Sequence, residues 1–267
     1  MKYCIVYGNC HVWPIRKYLI SSAAFNQIYQ MIEIPPVHQC NMEKGIEQHY
    51  LNQCDLFIYQ NVGNSFGEYL STNYILSKLP NKCKRISIGN AYFVPYYPQL
   101  ETSTDGFPYG DKNVIRLLQQ GLNKQQVLNL ISDDNFYSFN EIQSVLLDSI
   151  NELRRREASI DIPIVDYIEQ TYKNYHIFCT INHPRYPLFQ YLSMRILETL
   201  GIPSGELLHY VYDIFTDHIH PIYPSVIKHL GLTSIKPSDR CFTIGHQKLT
   251  FQEYIVKYID YIQSRQN

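Results

Sequence analysis

Cys10, His183 and the side-chain amides Gln60 and Asn182 are the residues of this chain whose types and positions could do chemistry. Lys2-Tyr3-Cys4-Ile5-Val6-Tyr7 reads as a buried strand that breaks at Gly8-Asn9-Cys10-His11, and a helix follows through Trp13, Pro14, Ile15, Tyr18 and Leu19. A nucleophile in a strand-to-helix turn faces free backbone N–H groups and the positive end of the helix dipole. Those groups lower a thiol pKa and hold a developing oxyanion. The plain alternative makes Cys10 a small packing residue under a tight turn. A second turn of the same kind follows a strand at 176–181, where Asn182-His183-Pro184-Arg185 precedes a helix over about 187–200. Taken alone, His183 reads as a capping histidine, but its position in that turn gives it a proton-transfer role, because its ordinary pKa lies close to working pH. Asn182 could donate to an oxyanion or orient a carbonyl.

These residues need a scaffold, and the first hundred residues provide one in the pattern of an α/β fold. Strands are expected at 2–7, 28–34, 55–60 and 85–88, with helices at about 12–24, 42–54 and 68–79 between them. Such alternation implies parallel pairing with right-handed crossovers, and ligands gather at the carboxyl ends of the strands. Those ends carry Gly8-Asn9-Cys10, Gln60-Asn61-Val62-Gly63 and Gly89-Asn90, so small and amide residues cluster where a site should be. The fold class expected is α/β, with a small parallel sheet and flanking helices embedded in a largely helical, loop-rich single domain over 1–267. Residues 1–100 and the strand near 176–181 would form the core, while 113–175 and 186–267 would be mainly helical.

Composition narrows the function classes. Apolar residues make up 45% and charged residues 18% of the 267, which describes an ordinary globular chain able to bury a core without staples. A formal net charge of −1 argues against a nucleic-acid backbone partner. No run of about 18 apolar residues is present, and the N-terminus lacks the pattern of a secretory signal, so a cytoplasmic protein is expected. Seven cysteines, odd in number and without a CxxC pair, fit reduced thiols better than a disulfide framework or a zinc site.

Other segments are less specific. A long loop at 91–112 is rich in Tyr, Pro and Gly, which suits a functional loop. Helices are expected at about 113–120, 123–132, 139–158 and 163–174, with Pro163 in the first turn of the last one. The charge run Glu152–Glu157 reads as a solvated helix face. His218 and His220 flank one residue and would share a strand face, but no third ligand stands at a convincing spacing, so no metal is expected. The tail at 251–263 is an amphipathic packing helix with Tyr254, Ile255, Tyr258, Ile259 and Ile262 on one stripe.

GNCH after the first strand, DLFIYQNVG after the third, IGNAYFVPYYPQ after the fourth, TINHPRYP in the middle and HPIYPSV late resemble the WcbI family of polysaccharide-biosynthesis proteins. The resemblance runs from residue 3 to about 230, and GNC and NHP are its distinctive blocks. It implies a mainly helical fold with a small α/β subdomain, distantly similar to SGNH-type hydrolases, and a cradle for coenzyme A or acetyl-coenzyme A. It also implies acyl, in particular acetyl, transfer to the hydroxyl of a glycan or sugar-nucleotide acceptor, within a glycan-assembly setting. By position, Cys10 matches the family's nucleophile-like cysteine and His183 its NHP histidine, with Gln60, Asn182 and the N–H groups of residues 9–11 as oxyanion donors. The cradle would include Gly8, Asn9, His11, Asn90, Tyr92 and Tyr97. Arg16, Lys17 and Arg185, just inside the two helices, could pair with coenzyme phosphates. The chain departs from the pattern at His11, where glutamine is usual, and at Tyr223, where histidine is expected. No Asp-x-x-His precedes His183, so a full hydrolase triad is not supported. Two other readings compete: an esterase that removes glycan acyl groups with water as acceptor, and a non-catalytic coenzyme- or nucleotide-binding module.

Overall fold

In β1 (Lys2–Tyr7) four consecutive residues, Cys4, Ile5, Val6 and Tyr7, are inaccessible to solvent, so the strand is covered on both faces. A near-continuous apolar run of this kind belongs to the middle of a parallel sheet. The computed structural model, which describes residues 1–101, 107, 109–245 and 247–266, places it there. The chain divides into two compact units, one of Met1–Asn90, Arg156–Asp166 and Tyr186–Asp213, the other of Ala91–Arg155, Tyr167–Arg185 and Ile214–Asn267.

The first unit is the α/β part. After β1 come α1 (Val12–Ile20), α2 (Ala23–Ile28), β2 (Tyr29–Ile32), α3 (Gln48–Gln53), β3 (Cys54–Tyr59), α4 (Thr72–Lys78) and β4 (Lys84–Ser87). The four strands are parallel in the order β2-β1-β3-β4. Ile5, Tyr7 and Phe57 pack on one face with Leu51 of α3 and Ile75 of α4. By the two-residue period of a strand, Cys4 and Val6 point to the other face. There α1 covers β1 and lies against the helix Tyr186–Thr199. Each large apolar side chain buried this way contributes about 1.5–3 kcal/mol.

Strand order decides where a ligand can enter. From β1 the chain crosses to β2 on one side and returns to place β3 on the other, so the connections leave the carboxyl ends of β1 and β3 in opposite directions. A crevice opens at such a switch point. Gly8-Asn9-Cys10 and Gln60 stand there, at the ends of the two central strands.

Several elements differ from the sequence expectation. The helix expected at 42–54 contracts to Gln48–Gln53. Asn41 Oδ1 instead takes the N–H groups of Glu43 and Lys44, and Gly45 turns the chain at φ +63°. Pro163 precedes the helix Val165–Thr171, because the Glu157 carboxylate accepts the N–H groups of Ile164 and Val165. Glu157 is therefore buried, unlike the solvated face expected of its charge run.

The second unit is built of short strands and helices. The strand expected at 176–181 is Phe178–Thr180, and it does not join the parallel sheet. It pairs antiparallel with His183–Pro184, whose partner residues are only a turn away in sequence. Leu100–Glu101 pairs with Gly110–Asp111, and a three-stranded sheet has the order Gln247–Leu249, Phe242–Ile244, His218–Ile219. The helix Lys124–Ile131 packs on Lys112–Gln119 and on the terminal helix Phe251–Gln266, whose Tyr254, Ile255, Tyr258, Ile259 and Ile262 are buried. Part of the loop expected at 91–112, residues 102–106 and 108, lies outside the described residues.

Candidate active site

At the end of β1 the backbone makes room for a side chain. A Cβ on Gly8 would stand 2.3 Å from Gln60 Oε1, so only glycine lets the Gln60 amide lie against the turn. Gln60 is 1% exposed, and both ends of its amide are used. Its Oε1 accepts the Asn9 N–H at 3.0 Å, which forces its amino group toward His11 Nδ1, also at 3.0 Å. The Nδ1 of His11 must then accept, and a neutral His11 carries its proton on Nε2. His11 is buried and sits edge-on to Phe189 with ring centroids 5.7 Å apart.

Asn9 completes the cage. Its Oδ1 accepts the His11 N–H at 2.9 Å, and its Nδ2 donates to Asn90 Oδ1 at 3.1 Å. The turn thus gathers Gly8, Asn9, His11, Gln60 and Asn90 around Cys10 through interactions within one unit. It also alters the expected oxyanion donors. The N–H groups of Asn9 and His11 are committed to Gln60 Oε1 and Asn9 Oδ1, and Gln60 is a scaffold amide. Among residues 9–11 this leaves the Cys10 N–H for an oxyanion.

Cys10 is half-buried, and burial pushes its thiol up to about 11, with its own N–H acting the other way. The expectation of a lowered thiol pKa is therefore corrected. The helix terminus offers little compensation, since its nearest N–H groups already have acceptors. Two residues expected in the cradle make contacts within the fold. Arg16 is buried, and its Nη2 donates to Val6 O at 2.6 Å and to Ile34 O, so it ties β1 to the segment that follows β2. Tyr97 is fully buried and donates to Phe178 O at 2.6 Å. Lys17 and Tyr92 are exposed.

The second unit holds the histidines. His183 lies on its two-residue strand, stacked on Phe215 with centroids 4.5 Å apart, and burial pushes its pKa down to about 4. Its Nδ1 is 3.2 Å from Tyr109 OH. Asn182 Oδ1 accepts from Thr180 Oγ1 at 3.2 Å and from Tyr109 OH at 3.4 Å. The HxH pair addresses one hydroxyl: Tyr254 OH is 3.0 Å from His218 Nε2 and 3.4 Å from His220 Nδ1. His220 is buried and its Nε2 has no hydrogen-bond partner. Among the described residues no group of three or more His, Cys, Asp or Glu could hold a metal ion. No described helix is long and apolar enough to cross a membrane.

Tyr223, anomalous in the sequence, has a structural task. Its hydroxyl donates to Asp111 Oδ2 at 2.8 Å and Oδ1 at 3.0 Å, while Oδ1 caps the helix Lys112–Gln119 through Asn113 N and Val114 N. Sequence reasoning missed Tyr109 and Phe215, and it read Tyr254 as a packing residue without its contacts to His218 and His220. One Tyr among 24 carries no local signal, and its partner is named only by tertiary packing.

A family model described as polysaccharide biosynthesis enzyme WcbI matches residues 3–205. No curated protein matches the chain. Among solved structures, one of WcbI, described as a novel polysaccharide biosynthesis enzyme, aligns with a TM-score of 0.83 at 19% identity, covering 98% of this chain and 90% of that one. That structure is described as the native protein without a disulfide bond between coenzyme A and a cysteine. At this identity the likeness shows the fold, a parallel four-stranded sheet flanked by helices.

Proposed function

The chain belongs to the WcbI family of polysaccharide biosynthesis enzymes, and on that footing we propose that it transfers an acyl group, acetyl first of all, from a coenzyme A thioester to a sugar hydroxyl. The observation that carries the reading is the position of Cys10: a half-buried thiol at the switch point of a parallel sheet, inside a cage of Asn9, His11, Gln60 and Asn90. The description of the similar WcbI structure in terms of coenzyme A and a cysteine supports the same ligand here.

In this proposal Cys10 Sγ attacks the thioester carbonyl as its proton passes to a base. Coenzyme A leaves as the thiol, taking that proton. The sugar hydroxyl then attacks acyl-Cys10, its proton goes to the base, and the Cys10 thiol is restored. A thiol with a pKa near 11 needs such a base during attack, because little thiolate exists beforehand. His11 is unsuited, since Nδ1 is occupied and Nε2 holds the proton. His183 is the proposed base, neutral at working pH. For that role it donates Nδ1–H to the Tyr109 oxygen, whose hydroxyl turns to Asn182 Oδ1, and Nε2 is left bare. The Cys10 N–H takes the oxyanion.

The raised thiol pKa also favours a second reading, a non-catalytic coenzyme-binding module. Titration calorimetry with coenzyme A and acetyl-coenzyme A, followed by acyl-transfer assays of Cys10→Ala and His183→Ala, separates the two. Micromolar binding with activity lost in both variants supports transfer. Binding without turnover selects the module, and no binding to either ligand removes both.

A further inference from the structure

Two of the seven cysteines meet inside the first unit. Cys54 opens β3 and Cys83 stands one residue before β4, and their Sγ atoms lie 3.7 Å apart although the residues are 29 apart in sequence. Both belong to the apolar cluster that includes Leu51, Phe57 and Ile75. Each sulfur also reaches a nearby carbonyl oxygen, Leu56 O at 3.2 Å from Cys54 and Lys84 O at 3.6 Å from Cys83. Thiols are weak donors, so neither contact fixes the sulfur. The two differ in access. Cys54 is inaccessible, whereas Cys83 keeps 6% exposure at the end of a turn whose Asn81 and Lys82 are exposed. The hydrogen bond with Cys54 lowers the Cys83 thiol pKa, and Arg85 adds to that, whereas the same bond and burial push Cys54 up. Cys83 is thus the nucleophile of the pair and Cys54 its resolving thiol.

We propose that Cys54 and Cys83 form a site of oxidative modification, which a hydroperoxide closes to a disulfide. The Cys83 thiolate attacks one peroxide oxygen and the O–O bond breaks. The other oxygen takes a proton and leaves as water or an alcohol, and Cys83 becomes a sulfenic acid. The Cys54 sulfur then attacks the Cys83 sulfur, the S–O bond breaks, and the hydroxyl leaves as water with the Cys54 proton. The two thiols lose two electrons, and the peroxide gains them. A disulfide is about 2.05 Å long, so the sulfurs must close by roughly 1.7 Å. The bond would tie the amino ends of β3 and β4, at the opposite end of the sheet from Gly8 and Gln60. It therefore stands apart from the acyl-transfer reading and does not rest on it.

The test is brief treatment of the folded protein with hydrogen peroxide, then alkylation, trypsin digestion and mass spectrometry without reductant. Trypsin leaves Cys54 in the peptide 45–78 and Cys83 in the dipeptide 83–84, each with no other cysteine, so the linked mass identifies the bond. The linked peptide should accumulate and disappear with dithiothreitol. Its yield should be at least about fivefold lower when the chain is oxidised in urea, where the sulfurs are no longer held together. In Cys54→Ala, Cys83 should stop at the sulfenic acid and take a dimedone label. In Cys83→Ser, dimedone labelling of Cys54 should be at least about tenfold weaker than that. Should either variant fail to fold, the comparison of native and urea-treated wild type decides by itself. Recovery of both cysteines as alkylated thiols, links from either to a different cysteine, equal yield in urea, or dimedone on Cys54 in place of Cys83 would each overturn the proposal.

Discussion

Gln60 Nε2 and His11 Nδ1 lie 3.0 Å apart at the carboxyl ends of the two central strands, and that contact sets the proton position on a buried imidazole next to Cys10. The other end of the same amide accepts the Asn9 N–H. Gln60→Leu would leave both groups without their partner, at about 1–3 kcal/mol for each buried group. Urea unfolding should show a loss of about 2–3 kcal/mol. A loss below about 0.5 kcal/mol would mean the cage adds nothing to stability.

Gly8→Ala tests the close approach itself. The new Cβ would overlap Gln60 Oε1 at 2.3 Å, on backbone at φ +156°. The amide must move, releasing Asn9 and His11 together. The expected result is a lower melting temperature and coenzyme affinity reduced at least tenfold, read by differential scanning fluorimetry and calorimetry. Unchanged affinity would detach the cage from ligand binding.

Arg16 distinguishes a structural cation from a phosphate ligand. Arg16→Met removes a charged donor bonded to Val6 O and Ile34 O, so about 3 kcal/mol of stability should be lost. Below the melting point, the dissociation constant for coenzyme A should stay within about twofold of wild type. A tenfold weaker constant in a stably folded variant would restore Arg16 to the cradle.

Cys10 should alkylate slowly. With its thiol pushed from 9.0 to about 11, the thiolate fraction at neutral pH is about a hundredfold below that of an ordinary cysteine. Iodoacetamide labelling of Cys10 should still rise tenfold per pH unit at pH 10. A plateau near pH 7 would reveal an activated thiolate. If the proposed base is right, Tyr109→Phe lowers kcat about tenfold with little change in KM, because His183 Nδ1 loses its partner.

Acid should destabilise the fold. Burial pushes His176 to about 3 and His183 and His218 to about 4, each from 6.5. An unfolded histidine takes up a proton below 6.5 that the folded one refuses, so stability present above that pH is lost as pH falls toward 4. Asp111 acts in the opposite sense. Its carboxyl is pushed up from 3.8 to about 6 by burial, so its cost to the fold, complete above 6, is relieved on acidification. Three histidines outweigh one carboxylate, and the melting temperature should fall between pH 6.5 and 4.5. A flat or rising profile would show that these imidazoles are not held neutral.

The sequence by itself determined the four parallel strands, the turns that end them and the clustering of Gly8, Asn9, Cys10, Gln60 and Asn90, because strand alternation and Gly-Asn breaks are local signals. The helices over 112–131 and 139–157 and the apolar stripe of the terminal helix were legible for the same reason. Only the tertiary structure decided which side chains are spent on the fold. Arg16 and Tyr97 look like ligand groups in a linear reading, yet they bond buried carbonyls. Tyr109 looks like any loop tyrosine, yet it touches His183. It also placed the 178–180 strand in its own small hairpin and raised the Cys10 thiol pKa. Burial and partner choice depend on residues far apart in the chain, and no local pattern carries that information.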